Sequence, residues 1–170
     1  GLQPLQDGTY RQALTIVGSK ALPSSSVTFS AGGKTLSPAF GQDIVFGAAN
    51  GQQTVAFDAP VVFAGYGIRA PEENWDDFKG VDLKGKLVIM MVNDPQPTVA
   101  EANRFAGKSL TYYGRWVYKY EEALRQGAAG VLLIHTTASA SYPWSVPANG
   151  FGHERFSLAG AGNAMEGWLQ

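Results

Sequence analysis

Two wholly apolar runs, residues 87–92 (LVIMMV) and 131–134 (VLLI), flank a stretch with helical spacing, residues 113–126 (YGRWVYKYEEALRQ). Runs with no polar alternation need both faces covered, so they read as interior strands of a mixed α/β layer and not as one-sided strands. A strand, a helix and a second strand in this order permit parallel pairing through a crossover. Gly127, directly after the helical stretch, suits the left-handed position that ends a helix. A third run, residues 61–68 (VVFAGYGI), ends in Gly65-Tyr66-Gly67, where paired glycines mark a bulge or a close backbone approach.

The remaining segments are short and β-like. Residues 9–17 alternate, with Tyr10, Gln12, Leu14 and Ile16 on one side, as a half-buried strand does. Residues 27–30 and 34–37 flank Ala31-Gly32-Gly33, a hairpin signal. Residues 43–46 and 53–57 are further strand candidates around a turn at 48–51. Residues 59–66 are expected to be a buried strand, 70–80 a polar loop, and Gly85 the turn of Lys84-Gly85-Lys86 leading into the strand at 86–92. On the helix, Trp116, Val117, Tyr120, Ala123 and Leu124 are expected to face the core, and Arg115, Lys119, Glu121, Glu122 and Arg125 water. The segment at 96–110 is too long to be structureless in a small domain without a purpose. A weak strand is expected at 155–158.

The 170 residues suit one domain with a sizeable core. With 45% hydrophobic and 16% charged residues the chain is globular. A net charge of -1 with no Lys/Arg cluster excludes a nucleic-acid partner, because phosphates are held by clustered cations. The apolar runs fall far short of the ~20 residues of a helical membrane span. The absence of cysteine removes disulfides and thiolate chemistry. The chain opens on Gly1 and stops as Met165, Trp168 and Leu169 accumulate, which reads as a piece of a longer protein.

No catalytic or metal-binding residue emerges from the motifs. His153-Glu154 begins like H-E-x-x-H, but Ser157 stands where the second histidine belongs. His135, at a strand end, reads as a satisfied structural residue. Asp76-Asp77 reads as a loop cap, since adjacent carboxylates diverge and a hard cation needs further oxygens. No G-x-S-x-G elbow occurs. Gly160-Ala161-Gly162 lacks the third small residue of a dinucleotide fingerprint, Met165 standing in its place. Glu101, Glu121 and Glu122 sit in solvated settings. What remains for recognition is aromatic: Tyr112, Tyr113 and Arg115 beside Trp116 at the helix start, and Tyr142 and Trp144 in the Pro-rich segment before Phe151. Packing beneath the loops is the competing expectation, favoured for Trp116 and evenly matched for Tyr142 and Trp144.

Two long blocks, VVFAGYGIRAPEENWDDFKGVDLKGKLVIMMVNDP and LTYYGRWVYKYEEALRQGAAGVLLIHTTASASYPWSVPANG, resemble the protease-associated (PA) domain inserted in bacterial M28-family zinc aminopeptidases. The likeness covers residues 1 to about 150 and is weak after Phe151. It implies a β-rich α/β fold of the swivelling β/β/α type, a barrel-like mixed sheet flanked by one or two helices. It also implies a single domain over residues 1–170, with 1–20 leading in from the peptidase side and 151–170 returning to it. The role implied is that of a non-catalytic accessory: it restricts or shapes substrate access, or mediates protein contacts, in a periplasmic or extracellular enzyme. Its partners would be the parent's own peptidase domain and peptide substrate. Zinc would belong to that peptidase domain, with no cofactor in this chain. The alternative is a free-standing peptide- or carbohydrate-binding module with Tyr142 and Trp144 as its platform. An independent hydrolase has no candidate site.

Overall fold

The two apolar runs are neighbouring parallel strands in a computed structural model that describes residues 1–5, 7–160 and 162–170. In chain order the strands are β1 (Ile16–Ser19), β2 (Phe29–Ala31), β3 (Lys34–Leu36), β4 (Ile44–Gly47), β5 (Val61–Phe63), β6 (Arg69–Ala70), β7 (Trp75–Asp76) and β8 (Leu87–Met91). Helix α1 (Trp116–Arg125) precedes β9 (Gly130–Ile134), followed by α2 (Thr137–Ala140), α3 (Ser145–Gly152), β10 (Arg155–Leu158) and β11 (Met165–Leu169). The main sheet has five strands in the order β4-β11-β9-β8-β5, with only β4 antiparallel to its neighbour. The fold is thus strand-rich α/β around a mixed sheet, as expected. The sheet is open, with β4 and β5 as its edges, and no closed barrel forms among the described residues.

Alternation along the strands sorts the core into two layers. Val45, Val88, Met90, Val131, Leu133 and Trp168 point to the face covered by Tyr120 and Ala123 of α1 and Phe151 of α3. Ile44, Phe46, Leu87, Leu132 and Met165 point to the other face, beneath Val27 and Phe29. The β2/β3 hairpin turns through Gly32-Gly33, both at positive φ, as the glycine pair predicts. Helix α1 ends in a Schellman motif: the Gly127 N–H donates to Leu124 O at 3.0 Å and the Ala128 N–H to Ala123 O at 3.0 Å.

Several expectations are corrected. Of the predicted 9–17 strand only Ile16 and Val17 lie in a ladder, β1 pairing with β10 over Ile16–Ser19; residues 9–15 form no ladder, and alternation alone makes none. Residues 53–57 are likewise unpaired. The predicted buried strand at 59–66 is the edge strand β5, with Val61 and Phe63 exposed beyond the reach of the covering hairpin. The 70–80 loop carries part of a small hairpin, β6–β7, capped by Asp76, whose carboxylate accepts from the N–H groups of Phe78 at 2.8 Å and Lys79 at 3.2 Å. The chain's last strand, β11, is an interior strand of the main sheet with Met165 and Trp168 buried, so these side chains are covered by this chain itself.

The largest correction concerns α1. Its buried residues are Tyr118, Lys119, Tyr120, Glu122 and Ala123, while Trp116, Val117 and Leu124 are left partly exposed. The helix is turned from the expected stripe because its two inward charged groups have partners. Glu122 accepts from Arg125 Nε at 2.8 Å and Gln126 Nε2 at 2.9 Å, and Lys119 reaches the end of β8. A paired charge can occupy an interior position that an unpaired one cannot.

Candidate functional site

The carboxyl ends of the parallel strands, where open α/β sheets bind their ligands, carry the most concentrated polar chemistry of the chain. Beyond β8 come Asn93 and Asp94; β5 leads into Gly65-Tyr66-Gly67, and β9 into His135. Asn93 adopts a positive φ of 72°, and its side-chain amide donates to Ser139 O, tying the strand end to α2. Its carbonyl accepts from Lys119 Nζ at 3.1 Å. Gly67, at φ 61°, lies against Met90: a Cβ there would stand 2.9 Å from the methionine Cγ and Cε. Glycine is required by both the backbone conformation and the contact. Gly65, Gly85 and Gly127 also have positive φ.

Lys119 has no exposed surface. Burial pushes its amine down to about 7, against the opposing pull of Asp94 and Asp77. The rings of Tyr66 and Tyr118 lie 6.0 Å and 5.7 Å from Nζ. Asp77 is fixed by Ile68 N–H, which donates to its Oδ2 at 3.0 Å. Asp94 is 5% exposed, and the Thr111 N–H donates to its Oδ2 at 2.8 Å. The result is a buried lysine between two carboxylates, joining α1, the end of β8 and the long loop.

That loop is fastened by Phe105, which sits in the short turn Arg104–Ala106 and packs edge-on to Trp75 at 5.6 Å and Tyr113 at 5.9 Å. Phe105 has a left-handed backbone, φ 48°, a strain of roughly 1–2 kcal/mol for a non-glycine residue. Burying its ring returns about 1.5–3 kcal/mol, so burial holds the conformation. Gln96, Gly107, Lys108, Ser109 and Leu110 of the loop then face Asn93, Asp94 and Ser141 across a cleft of about 150 Å³.

The aromatic residues singled out from the sequence divide between this region and the core. Tyr112 is exposed and donates from its hydroxyl to Glu121 Oε2 at 2.8 Å, a bond that raises its pKa. Tyr113 donates to Glu72, which, together with burial, pushes its phenol up to about 12. Arg115 is exposed at the N-cap of α1. Tyr142 and Trp144 are half-buried against the main core, and the Trp144 indole N–H donates to Gly41 O at 2.8 Å. Both lie beside His135, whose Nε2 is 3.1 Å from Tyr142 O. Trp116, expected to pack, is 44% exposed and touches Tyr120 edge-on at 5.8 Å.

His135 and His153 each engage one backbone carbonyl, and no three His, Asp or Glu side chains among the described residues converge as metal ligands would. Ala161, in the glycine-rich stretch at 160–165, lies outside the described residues; Gly162 is pressed against Ala49, whose carbonyl carbon would stand 2.9 Å from a Cβ. No helix among the described residues is long and apolar enough to cross a membrane.

Sequence reasoning missed Lys119, Asn93, Asp94 and Phe105. The available signal was an acid directly after an apolar strand, at the sheet end where sites form. Lys119 carried no such mark, because its partners are distant in sequence. Comparison with protein-family models, with curated proteins and with solved structures finds no match to this chain.

Proposed function

We propose that this chain is a non-catalytic accessory domain of a secreted di-zinc aminopeptidase, acting in the periplasm or outside the cell. It docks on the parent's peptidase domain through the β1/β10 ribbon. The observation that carries this reading is the outer face of that ribbon. Ile16 (58% exposed) pairs with Leu158 (57%), and Gly18 pairs with Phe156 (64%). Cross-strand partners share a face, and residues two apart on one strand do too, so these apolar side chains form one outward patch. The ribbon's other face, with Val17, Ser19, Arg155 and Ser157, is partly covered. Exposed apolar side chains grouped in this way, here beside the Glu154 carboxylate that lies over Gly18, mark an interaction site. Both strands lie in segments that the PA-domain resemblance assigns to the peptidase side. Zinc and the general base belong to that neighbour, where two metal ions activate a shared water.

Substrate shaping falls to the opposite kind of surface, the polar cleft where the 96–110 loop meets Ser141 of the 139–150 segment. Tyr112, Tyr113 and Arg115 continue from its Leu110 wall, and Tyr142 and Trp144 support the Ser141 side. Deleting 139–150 is a poor test, because it removes Trp144 and most of α3 from the core. The informative variant is Phe156→Ser with Leu158→Ser in the full-length enzyme. The ratio of kcat/KM for long against short peptides is expected to change by about fivefold or more, the domain no longer being held over the cleft. An unchanged ratio across a graded peptide series overturns the reading. Saturable binding of oligosaccharides to the isolated chain, followed by tryptophan fluorescence, would instead favour the free-standing binding module.

A further inference from the structure

Asparagine is a chemically labile residue, most of all where the next residue leaves room for its backbone nitrogen to attack. The chain has two Asn-Gly pairs, Asn50-Gly51 and Asn149-Gly150; its four other asparagines precede Trp75, Asp94, Arg104 and Ala164, whose side chains crowd that nitrogen. The fold treats the two pairs differently.

Asn50 stands half-buried in the turn after β4, and Gly51 is exposed. The Gln52 N–H donates to Asn50 Oδ1 at 3.1 Å, the turn in which an asparagine side chain bonds its own backbone two residues on. This bond folds the carboxamide across the intervening peptide and brings Cγ toward the Gly51 nitrogen. It also sets a donor where negative charge would develop on Oδ1 during attack at Cγ. The Gly51 N–H has no hydrogen-bond partner among the described residues, so no bond must break before its proton is lost. A φ of 74° at Gly51 favours glycine, and so keeps a shielding side chain away.

Asn149-Gly150 has the opposite setting. Both residues lie inside α3, where the N–H that follows Asn149 is directed along the helix to a carbonyl four residues back. Helical side chains lean toward the N-terminus, which carries Cγ away from the following nitrogen. The carbonyl of the same peptide unit is held by His153 Nδ1 at 2.8 Å.

We infer that Asn50 is a site of spontaneous deamidation through Gly51, and that α3 protects Asn149 from the same reaction. Hydroxide removes the Gly51 amide proton. The nitrogen forms a bond to Asn50 Cγ, the Cγ–Nδ2 bond breaks, and the amide nitrogen leaves as ammonia. Water then opens the cyclic imide, giving an aspartyl or isoaspartyl residue at position 50, so that the net change is amide plus water to carboxylate plus ammonium. The turn is a seam of the fold: the Ser19 hydroxyl donates to Ala48 O at 2.9 Å, and the Ala49 N–H donates to Asn163 O at 3.2 Å. Conversion therefore puts a new negative charge, and in the isoaspartyl form an extra backbone methylene, beside β1 and the lead into β11. The site stands whether or not the chain serves a peptidase.

The test is incubation of the 170-residue chain at pH 8, folded and in guanidinium chloride, followed by peptide mass spectrometry and by enzymatic methylation to detect isoaspartyl carboxylates. In the folded chain position 50 should convert at least about tenfold faster than position 149, which must wait for local opening of α3. In guanidinium chloride the two should convert at similar rates. Gly51→Ala should slow conversion at position 50 at least about tenfold, in the unfolded chain too, because its Cβ shields the attacking nitrogen whether or not the turn still forms. Equal rates at positions 50 and 149 in the folded chain, or conversion at position 50 without isoaspartyl product, overturn the assignment.

Discussion

Raising the pH from 7 to 9 stabilises this fold by about 2 kcal/mol through Lys119 alone. In the folded chain the Lys119 amine titrates near 7, against the ordinary lysine value of 10.5, because burial disfavours its charged form. Between those two values the unfolded chain binds a proton that the folded chain has shed, so stability rises with pH across that window. Below pH 7 both states are protonated and the contribution is absent; above 10.5 it is complete. The full difference is on the order of 5 kcal/mol, and the interval from 7 to 9 captures a little under half of it, at about 1.4 kcal/mol per unit once titration is under way.

Urea denaturation at pH 7, 8 and 9 measures this rise directly. Lys119→Met, which keeps the length of the side chain without its amine, should flatten the profile over the same interval. The tyrosines do not interfere. Tyr113, Tyr118, Tyr120 and Tyr142 all titrate higher in the fold than an ordinary phenol, so their stabilising contributions are lost only in the alkaline range above 10. A wild-type midpoint that is constant or falls from pH 7 to 9 would show that Lys119 remains charged in its site, paired more closely with Asp94 and Asp77 than the geometry indicates.

The same residue marks the limit of what could be read from the amino-acid order. Local rules worked where the cause was local. The Gly127 helix stop, the Gly32-Gly33 hairpin and the Asp76 cap each depend on atoms within a few residues. The parallel pair β8–β9 was visible because apolar runs with a helix between them have few other solutions. The rotation of α1 was not visible, since two stripes compete on that helix. Apolarity favours Trp116, Val117 and Leu124, whereas Lys119 and Glu122 become interior only through Asn93, Asp94, Arg125 and Gln126. Three of these partners are close along the chain or end a strand, but nothing local places Asp94 under the helix. The cleft shares this origin, as it exists only once Phe105 has pinned the long loop to Trp75 and Tyr113. The length of 96–110 suggested a purpose for that loop, but nothing in its sequence indicated the buried Asp94 beside it.

Gly167→Ala should remove a large share of the stability of this fold, although the position looks unremarkable in sequence. Gly167 lies in β11, between β4 and β9, paired with Phe46 on one side and Leu132 on the other. A Cβ added there would strike the Val45 carbonyl oxygen and stand 2.9 Å from Phe46 Cα. These are backbone atoms of the adjoining strand, so no rotamer change relieves the clash. Either β4 moves away, breaking ladder bonds worth about 1 kcal/mol each, or the strained packing remains, at roughly 1–3 kcal/mol or more. A loss of about 3–5 kcal/mol is expected, against total stabilities of about 5–15 kcal/mol for domains of this kind. Gly150→Ala is the matching control: it lies within α3, with open space around its would-be Cβ, and should stabilise by about 0.5–1 kcal/mol. Urea midpoints of the two variants should therefore move in opposite directions. If Gly167→Ala instead unfolds at the wild-type midpoint, β4 and β11 are not in register as a close pair. The layer of Ile44, Phe46 and Leu132 would then require a different partner strand.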